Sequence, residues 1–178
     1  MKDIRITHRA RTLFLALSIA MMLIGAARSY AESFYHFEEI YYRAYDHDKH
    51  SWLPYVSGTD TFQHNDYAGR YGHSIDGICI GSTSPEIIYR VHYKGGSWLP
   101  DVTCRSYDFA GIYGRPIDVI TMHSTGKGAY AVGFCDTYYR VHIKNGSWLP
   151  LVECYEYAGI LGKEIDALQV YVWLSFEE

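Results

Sequence analysis

The chain has 178 residues, of which 48% are hydrophobic and 20% are charged, and this composition excludes a disordered chain and fits about one globular domain. The formal net charge of -4 disfavours a binder of nucleic-acid backbone, which would carry a basic stripe, so no nucleic-acid partner is expected. The unusual feature is the aromatic content of 16%, made of 18 Tyr, 7 Phe and 4 Trp, because it exceeds what a core of this size requires.

Residues 1–31 have the pattern of an export signal peptide. Four basic residues precede an apolar run over residues 13–25, and the small residues Ser29 and Ala31 mark a cleavage site. The run is shorter than the roughly 20 apolar residues that cross a bilayer, so we expect cleavage after Ala31 and no membrane association afterwards. Cleavage removes five basic residues and one acidic residue, which leaves 11 basic against 19 acidic residues in a secreted, acidic chain.

One pattern then occurs three times and divides residues 32–178, as one domain, into repeats at about 40–84, 85–133 and 134–174. Each copy contains Tyr-Arg, then Ser-Trp-Leu-Pro, then Ala-Gly, then Ile-Asp. The tryptophans of successive copies lie 46 and then 50 residues apart, and Ala precedes Ile by seven residues in every copy. Spacing this regular indicates three copies of one structural unit.

Each repeat has the pattern of short strands joined by turns. Alternation in Tyr-Arg-Val-His and after Ile-Asp predicts strands, and the dipeptides Gly95-Gly96 and Asn145-Gly146 predict tight turns. A unit this small cannot bury its apolar face alone, so the three copies are expected to close around a common axis. The sequence therefore predicts an all-β domain with three-fold pseudo-symmetry. A β-prism is favoured, because each copy shows three strands, and a β-trefoil is the alternative.

The repeated string of Tyr-Arg-Val-His, a Gly turn, Trp, Ala-Gly and Ile-Asp resembles the clostridial hydrophobic repeats with a conserved tryptophan. The resemblance covers nearly all of residues 32–178, and it implies an exported Gram-positive protein that binds a surface, a polysaccharide or another protein. The chain departs from the family pattern at the residue before each tryptophan, where the usual Gly is replaced by Ser51, Ser97 and Ser147.

The aromatic residues divide into repeat positions and loop positions. Trp52, Trp98 and Trp148 are predicted to build the core of the repeats, because a three-fold core uses one large residue per copy at a fixed place. Loop tyrosines are better binding candidates, since no core alternation demands them and a phenol offers a flat face and a hydroxyl. Together with two aspartates of the long first loop, the candidate binding residues are Tyr55, Tyr67, Tyr71, Tyr107, Tyr113, Tyr155, Tyr157, Asp60 and Asp66.

The charged residues that recur once per repeat are interpreted as structural ion pairs, formed by Arg43, Arg90 and Arg140 with Asp76, Asp118 and Asp166. His92 and His142 match one another, but the first repeat has Tyr45 at that place, so a three-fold metal site is not expected. The sequence predicts neither a metal nor a cofactor.

Four cysteines in a secreted chain permit two disulfides. Cys104 and Cys154 each follow a repeat tryptophan by six residues, so the first pairing to expect is Cys104 with Cys154 and Cys79 with Cys135. No CxxC pair occurs, which disfavours a structural zinc site.

These features together predict a secreted, non-catalytic binding module whose partner is a polysaccharide or cell-wall glycan. The alternative is a secreted protein-interaction or effector module that binds a surface protein. A cell-wall hydrolase is less favoured, because the chain has neither a Gly-x-Ser-x-Gly nor a His-Glu-x-x-His motif, and no catalytic residue is assigned.

Overall fold

The computed structural model describes residues 35–37, 40–58, 66–82, 86–104, 108–125 and 133–176. The predicted export signal over residues 1–31 lies outside the described residues. Within these ranges, no helix has the length and apolar character needed to cross a membrane.

The described ranges fold into β-strands without a helix, so the prediction of an all-β chain is confirmed. In chain order the strands are β1 (Tyr35–Phe37), β2 (Ile40–Asp46), β3 (Ser51–Trp52), β4 (Val56–Gly58), β5 (Ala68–Gly69), β6 (Ile75–Ser82), β7 (Ile87–Tyr93), β8 (Val102–Thr103), β9 (Ala110–Gly111), β10 (Ile117–Ser124), β11 (Gly133–Ile143), β12 (Ala158–Gly159) and β13 (Ile165–Phe176).

Each repeat is built on one long antiparallel pair of strands. The Tyr-Arg strand pairs with the Ile-Asp strand of the same repeat, which gives the pairs β2 with β6, β7 with β10 and β11 with β13. The register is equivalent in all three pairs. The tyrosine of Tyr-Arg lies opposite the residue that is five positions after the isoleucine of Ile-Asp, as Tyr89 lies opposite Met122. Apolar residues alternate along the Tyr-Arg strand and give it one buried face, as the sequence pattern predicts.

The short Ala-Gly strands join the repeats into a closed ring. Strand β9 of the second repeat pairs with β6 of the first, β12 of the third pairs with β10 of the second, and β5 of the first pairs with β13 of the third. Each repeat therefore completes a sheet of its neighbour, and the three-fold pseudo-symmetry predicted from the repeats is confirmed. The choice of a β-prism over a β-trefoil stays a prediction.

Three tyrosines, Tyr42, Tyr89 and Tyr139, occupy equivalent places in the buried core. The Tyr89 hydroxyl accepts a hydrogen bond from the Ile80 backbone N–H and donates to the Asp108 carbonyl, both at 3.2 Å. Burial raises the pKa of each of these hydroxyls above its usual value of 10.0, so each remains a donor. The hydroxyl thus ties the core of one repeat to the preceding repeat.

The tryptophans are only partly buried and lie outside this core, which differs from the sequence prediction for Trp52, Trp98 and Trp148. Each tryptophan follows the turn of its repeat and pairs with the residue two after Arg in the Tyr-Arg strand, as Trp98 does with His92. This place is the outer end of the strand pair. The indole therefore lies at the edge between repeats, and tyrosines fill the centre.

The predicted disulfides are absent among the described cysteine side chains. Cys79, Cys104 and Cys154 are in no disulfide, and the side chain of Cys135 lies outside what the structure describes. The sulfur atoms of Cys104 and Cys154 each accept a backbone N–H of their own repeat at 3.2 Å. Each of these cysteines lies against the strand pair of its own repeat. The pseudo-symmetry therefore keeps the two thiols apart.

A polar network joins all three repeats through Glu164. This carboxylate accepts hydrogen bonds from Lys94 of the second repeat at 2.7 Å, from Ser74 of the first, and from Lys144 of its own repeat at 3.3 Å. Hydrogen bonds from Lys94, then from Ser74 and Lys144, lower the pKa of Glu164 from 4.5 to about 2, although burial opposes the change. The ionised carboxylate therefore stabilises the closed ring.

The contribution of Glu164 predicts an acid-sensitive stability. Because its folded-state pKa is lowered, the stabilisation is fully present above pH 4.5 and is lost as the pH falls toward about 2. We expect Glu164→Gln to lower the urea midpoint at pH 7, with the difference from the parent protein shrinking between pH 4.5 and 2. Urea unfolding at several pH values measures this, and a pH-independent difference would contradict it.

Candidate functional site

The aromatic excess is concentrated in three clusters at the edges between repeats. In each cluster the arginine of Tyr-Arg stacks over the tryptophan of its own repeat, with the guanidinium carbon 4.6 to 5.0 Å from the ring centroid. Aromatic residues around Ala-Gly of the neighbouring repeat pack against the same tryptophan. The repeated tryptophans therefore join adjacent repeats and leave the tyrosines on the outside.

The first cluster lies between the first and second repeats. Trp52 donates its indole N–H to the Tyr113 hydroxyl at 3.3 Å and makes an edge contact with Phe109. Arg43 also stacks over Tyr55, with 4.5 Å between the guanidinium carbon and the ring centroid. Tyr113 is half exposed, but its hydroxyl and one face are used by neighbours within the cluster.

The third cluster, between the third and first repeats, repeats this arrangement. Trp148 donates its indole N–H to the Tyr71 hydroxyl at 3.0 Å, and Tyr67 stacks on Tyr71 with the ring centroids 4.9 Å apart. The ring of Tyr71 also contacts His142. The stacked tyrosines thus pack on the tryptophan of the neighbouring repeat at this edge.

The second cluster differs, because Leu161 stands where the other two repeats have Tyr71 and Tyr113. Tyr157 packs against Trp98 with the ring centroids 5.2 Å apart, but in the described part of the chain no acceptor faces the Trp98 indole N–H. This edge therefore lacks the hydrogen bond from tryptophan to tyrosine that the other two edges have.

A cleft of about 250 Å³ lies beside the second cluster. Its mouth carries Tyr155 and Tyr157, which are 68% and 59% exposed. The Tyr155 ring stacks on His123 with 4.4 Å between the centroids, and Arg90 and Asp101 form a loose ion pair at 3.8 Å. The full lining is Ile88, Tyr89, Arg90, Asp101, Thr121, His123, Tyr155 and Tyr157.

Tyr155 has a backbone conformation that is unusual for its residue type. Its φ is +69°, in the left-handed region, and its N–H donates to the carbonyl of Met122 in the second repeat at 3.0 Å. Non-glycine residues rarely hold this conformation, and such strain is concentrated at functional sites. The contact between repeats holds an exposed aromatic ring over the cleft.

The recurring aspartates do not form the predicted ion pairs with the arginines. Each is the extra residue of a β-bulge in its strand pair, and a bulge redirects its side chain. Asp118 is fully buried, accepts the Gly162 backbone N–H of the next repeat at 2.7 Å, and lies 2.6 Å from His92 Nδ1. Asp76 and Asp166 have the equivalent contacts, and His47 from the neighbouring turn replaces the missing histidine beside Asp76.

The sequence-predicted binding residues are distributed over the three edges. Tyr155 and Tyr157 share the cleft, Tyr67 and Tyr71 form the third cluster, and Tyr55 and Tyr113 belong to the first. Five of these tyrosines are exposed, as expected for residues that lie in loops and not in the core. Asp66 is exposed, and its carbonyl accepts the core Tyr42 hydroxyl at 3.0 Å. Tyr107 and Asp60 lie outside the described residues.

Three polar residues of the cleft, Asp101, Thr121 and His123, were missed by sequence reasoning, and Arg90 was interpreted as part of a structural ion pair. Thr121 and His123 lie in strand β10, where they belong to the repeat pattern, and Leu161 is a sequence difference that marks this edge. Comparison of the chain with protein-family models, with curated proteins and with solved structures finds no match. The resemblance to the clostridial repeats therefore stays a prediction.

Proposed function

We propose that this protein is a secreted, non-catalytic module that binds a polysaccharide, and that the cleft beside the second cluster is its main site. The observation that carries the proposal is the pair of exposed rings, Tyr155 and Tyr157, above a polar cleft. Flat aromatic faces pack on the apolar C–H faces of sugar rings and exclude water from the surrounding hydroxyl contacts.

The polar lining suits the hydroxyl groups of a sugar. Arg90 supplies donors and Asp101 supplies acceptors, so adjacent hydroxyls find complementary partners. The cleft volume of about 250 Å³ lies just below the usual range of ligand pockets, about 300–1,000 Å³. A cleft of this size supports binding one unit of a polymer whose other units extend over the surface.

The carboxylates support a binding role over hydrolysis. Glycoside hydrolysis uses two carboxyl groups about 5 to 10 Å apart in one cleft. Among the described residues that line this cleft, Asp101 is the single carboxylate. The recurring Asp76, Asp118 and Asp166 are buried, and their oxygens are used in hydrogen bonds.

Binding is tested by depletion of the purified protein from solution by insoluble peptidoglycan, cellulose and xylan. We expect Tyr157→Ala to weaken retention about tenfold, which corresponds to the loss of about 1.4 kcal/mol of aromatic packing. Tyr113→Ala is the matched control, because Tyr113 is 52% exposed but lies in the first cluster. Equal losses in both variants would exclude the cleft, and no depletion by any polymer would contradict the proposed function.

A surface protein is the second candidate partner. Exposed aliphatic side chains, Ile112, Ile160 and Leu161, stand near the tyrosines, and apolar side chains of this kind favour protein contacts over sugars. Capture of one stoichiometric protein, with no retention on the polymers, would favour this function.

A further inference from the structure

Three side chains of residue types that commonly ligate metals lie close together in the first repeat, away from the cleft. Asp46 ends strand β2, Asp48 lies in the turn that follows, and His73 lies in the turn before β6. One ligand atom from each lies within 4.8 Å of the other two. The positions that match His73 in the other repeats hold Arg115 and Lys163, so the cluster is confined to the first repeat.

The spacing of the ligand atoms suits a small divalent ion. His73 Nδ1 lies 3.2 Å from Asp46 Oδ1 and 3.4 Å from Asp48 Oδ2. Zinc bonds to nitrogen and oxygen are about 2.0–2.2 Å long, so tetrahedral ligands are about 3.3–3.6 Å apart. Both distances to His73 Nδ1 therefore match a tetrahedral site, and the two carboxylates lie within 4.8 Å of one another.

A second, independent observation is the buried Asp46 carboxylate. The side chain is 1% exposed, and its Oδ2 atom has no hydrogen-bond donor among the described residues. Arg70 Nε is 4.0 Å from this oxygen, which is beyond hydrogen-bond length, and the Arg70 side chain is half exposed. A buried carboxylate oxygen without a donor is rare, and a bound cation is one way to satisfy it.

The Asp46 carboxylate is held in place by the turn that follows strand β2. Its Oδ1 atom accepts the backbone N–H groups of Asp48 and Lys49, both at 2.9 Å. Such fixed orientation of a ligand is typical of metal sites.

We propose that Asp46, Asp48 and His73 bind a divalent first-row transition metal ion, with one imidazole nitrogen and two carboxylates as protein ligands. The imidazole with hard carboxylates favours Zn²⁺, Mn²⁺ or Fe²⁺ over the all-oxygen environment of Ca²⁺. On binding, the ion takes the place between His73 Nδ1 and the carboxylates, and any proton on that nitrogen passes to solvent.

The test is a calorimetric titration of the protein, without a polyhistidine tag, with Zn²⁺. We expect one saturable site, and an increase in Kd of about tenfold or more in His73→Ala and in Asp48→Asn. Asp48 is 45% exposed, so its variant keeps the fold if the His73 variant does not. Arg70→Ala is expected to lower Kd, because a competing positive charge beside Asp46 Oδ2 is removed.

The matched control is His50→Ala, since His50 is an exposed histidine of the same turn that lies outside the cluster. Its Kd for Zn²⁺ is expected to equal that of the parent protein. Absence of a saturable site, or a Kd that changes in His50→Ala and not in Asp48→Asn, would overturn the proposal.

Discussion

Replacing Gly111 with alanine is expected to destabilise the protein more than any surface change. Gly111 has a φ of +147°, which L-residues rarely adopt, and it lies directly against the first repeat in strand β9. A Cβ there would stand 2.1 Å from the Asp76 carbonyl oxygen and 2.5 Å from the Gly77 Cα. Both are backbone atoms, so the strand pair that closes the ring must separate.

The expected loss is at least about 3 kcal/mol, from backbone strain and overpacking together. For a domain of this size that corresponds to a melting temperature lower by about 10 °C. Thermal unfolding followed by circular dichroism measures the change. A loss this large is a considerable part of the roughly 5–15 kcal/mol by which a domain is stable.

Gly114→Ala is the matched control, three residues further along the chain. Its φ of +83° also disfavours an L-residue, but no atom of the described residues lies within 4 Å of the place that an added Cβ would take. We expect a loss of about 1 kcal/mol, from backbone strain alone. Equal losses for the two variants would show that the close approach between repeats does not limit stability.

Replacing Asp118 with alanine is expected to have the second-largest effect on the stability of the protein. The fully buried carboxylate accepts the Gly162 backbone N–H at 2.7 Å and contacts His92 Nδ1 at 2.6 Å. Alanine leaves two polar groups without their partner, and each buried group left unsatisfied costs about 1–3 kcal/mol. We therefore expect a loss of about 2–5 kcal/mol, measured by urea unfolding.

Asp101→Ala supplies the comparison for Asp118. Asp101 is exposed, and its ion pair with Arg90 spans 3.8 Å, so we expect a loss below about 1 kcal/mol. The loss of stability in Asp118→Asn should lie between the losses in these two variants. The amide oxygen replaces one carboxylate acceptor, but the amide N–H₂ group faces a donor. A loss in Asp118→Ala no larger than in Asp101→Ala would refute the structural role given to the buried aspartates.

The candidate site could be predicted only in part, for reasons that particular residues show. Tyr155 and Tyr157 were predicted from their place in a loop, because loop tyrosines have no core alternation to satisfy. Their association with His123 and Arg90 was not predictable, since these residues belong to a different repeat and are brought near by ring closure. The buried aspartates were assigned the wrong partner, because a β-bulge redirects a side chain without changing the sequence pattern.

The sequence by itself determined the repeats, the all-β class and the three-fold pseudo-symmetry. Spacing and alternation along one chain are local properties, and three equal units must bury equal faces together. Only the tertiary structure decided which residues meet between repeats: Asp118 with Gly162, Ser74 and Lys94 with Glu164, and Tyr155 with His123 at the cleft. Such contacts depend on how the ring closes, and no period within a single repeat records that geometry.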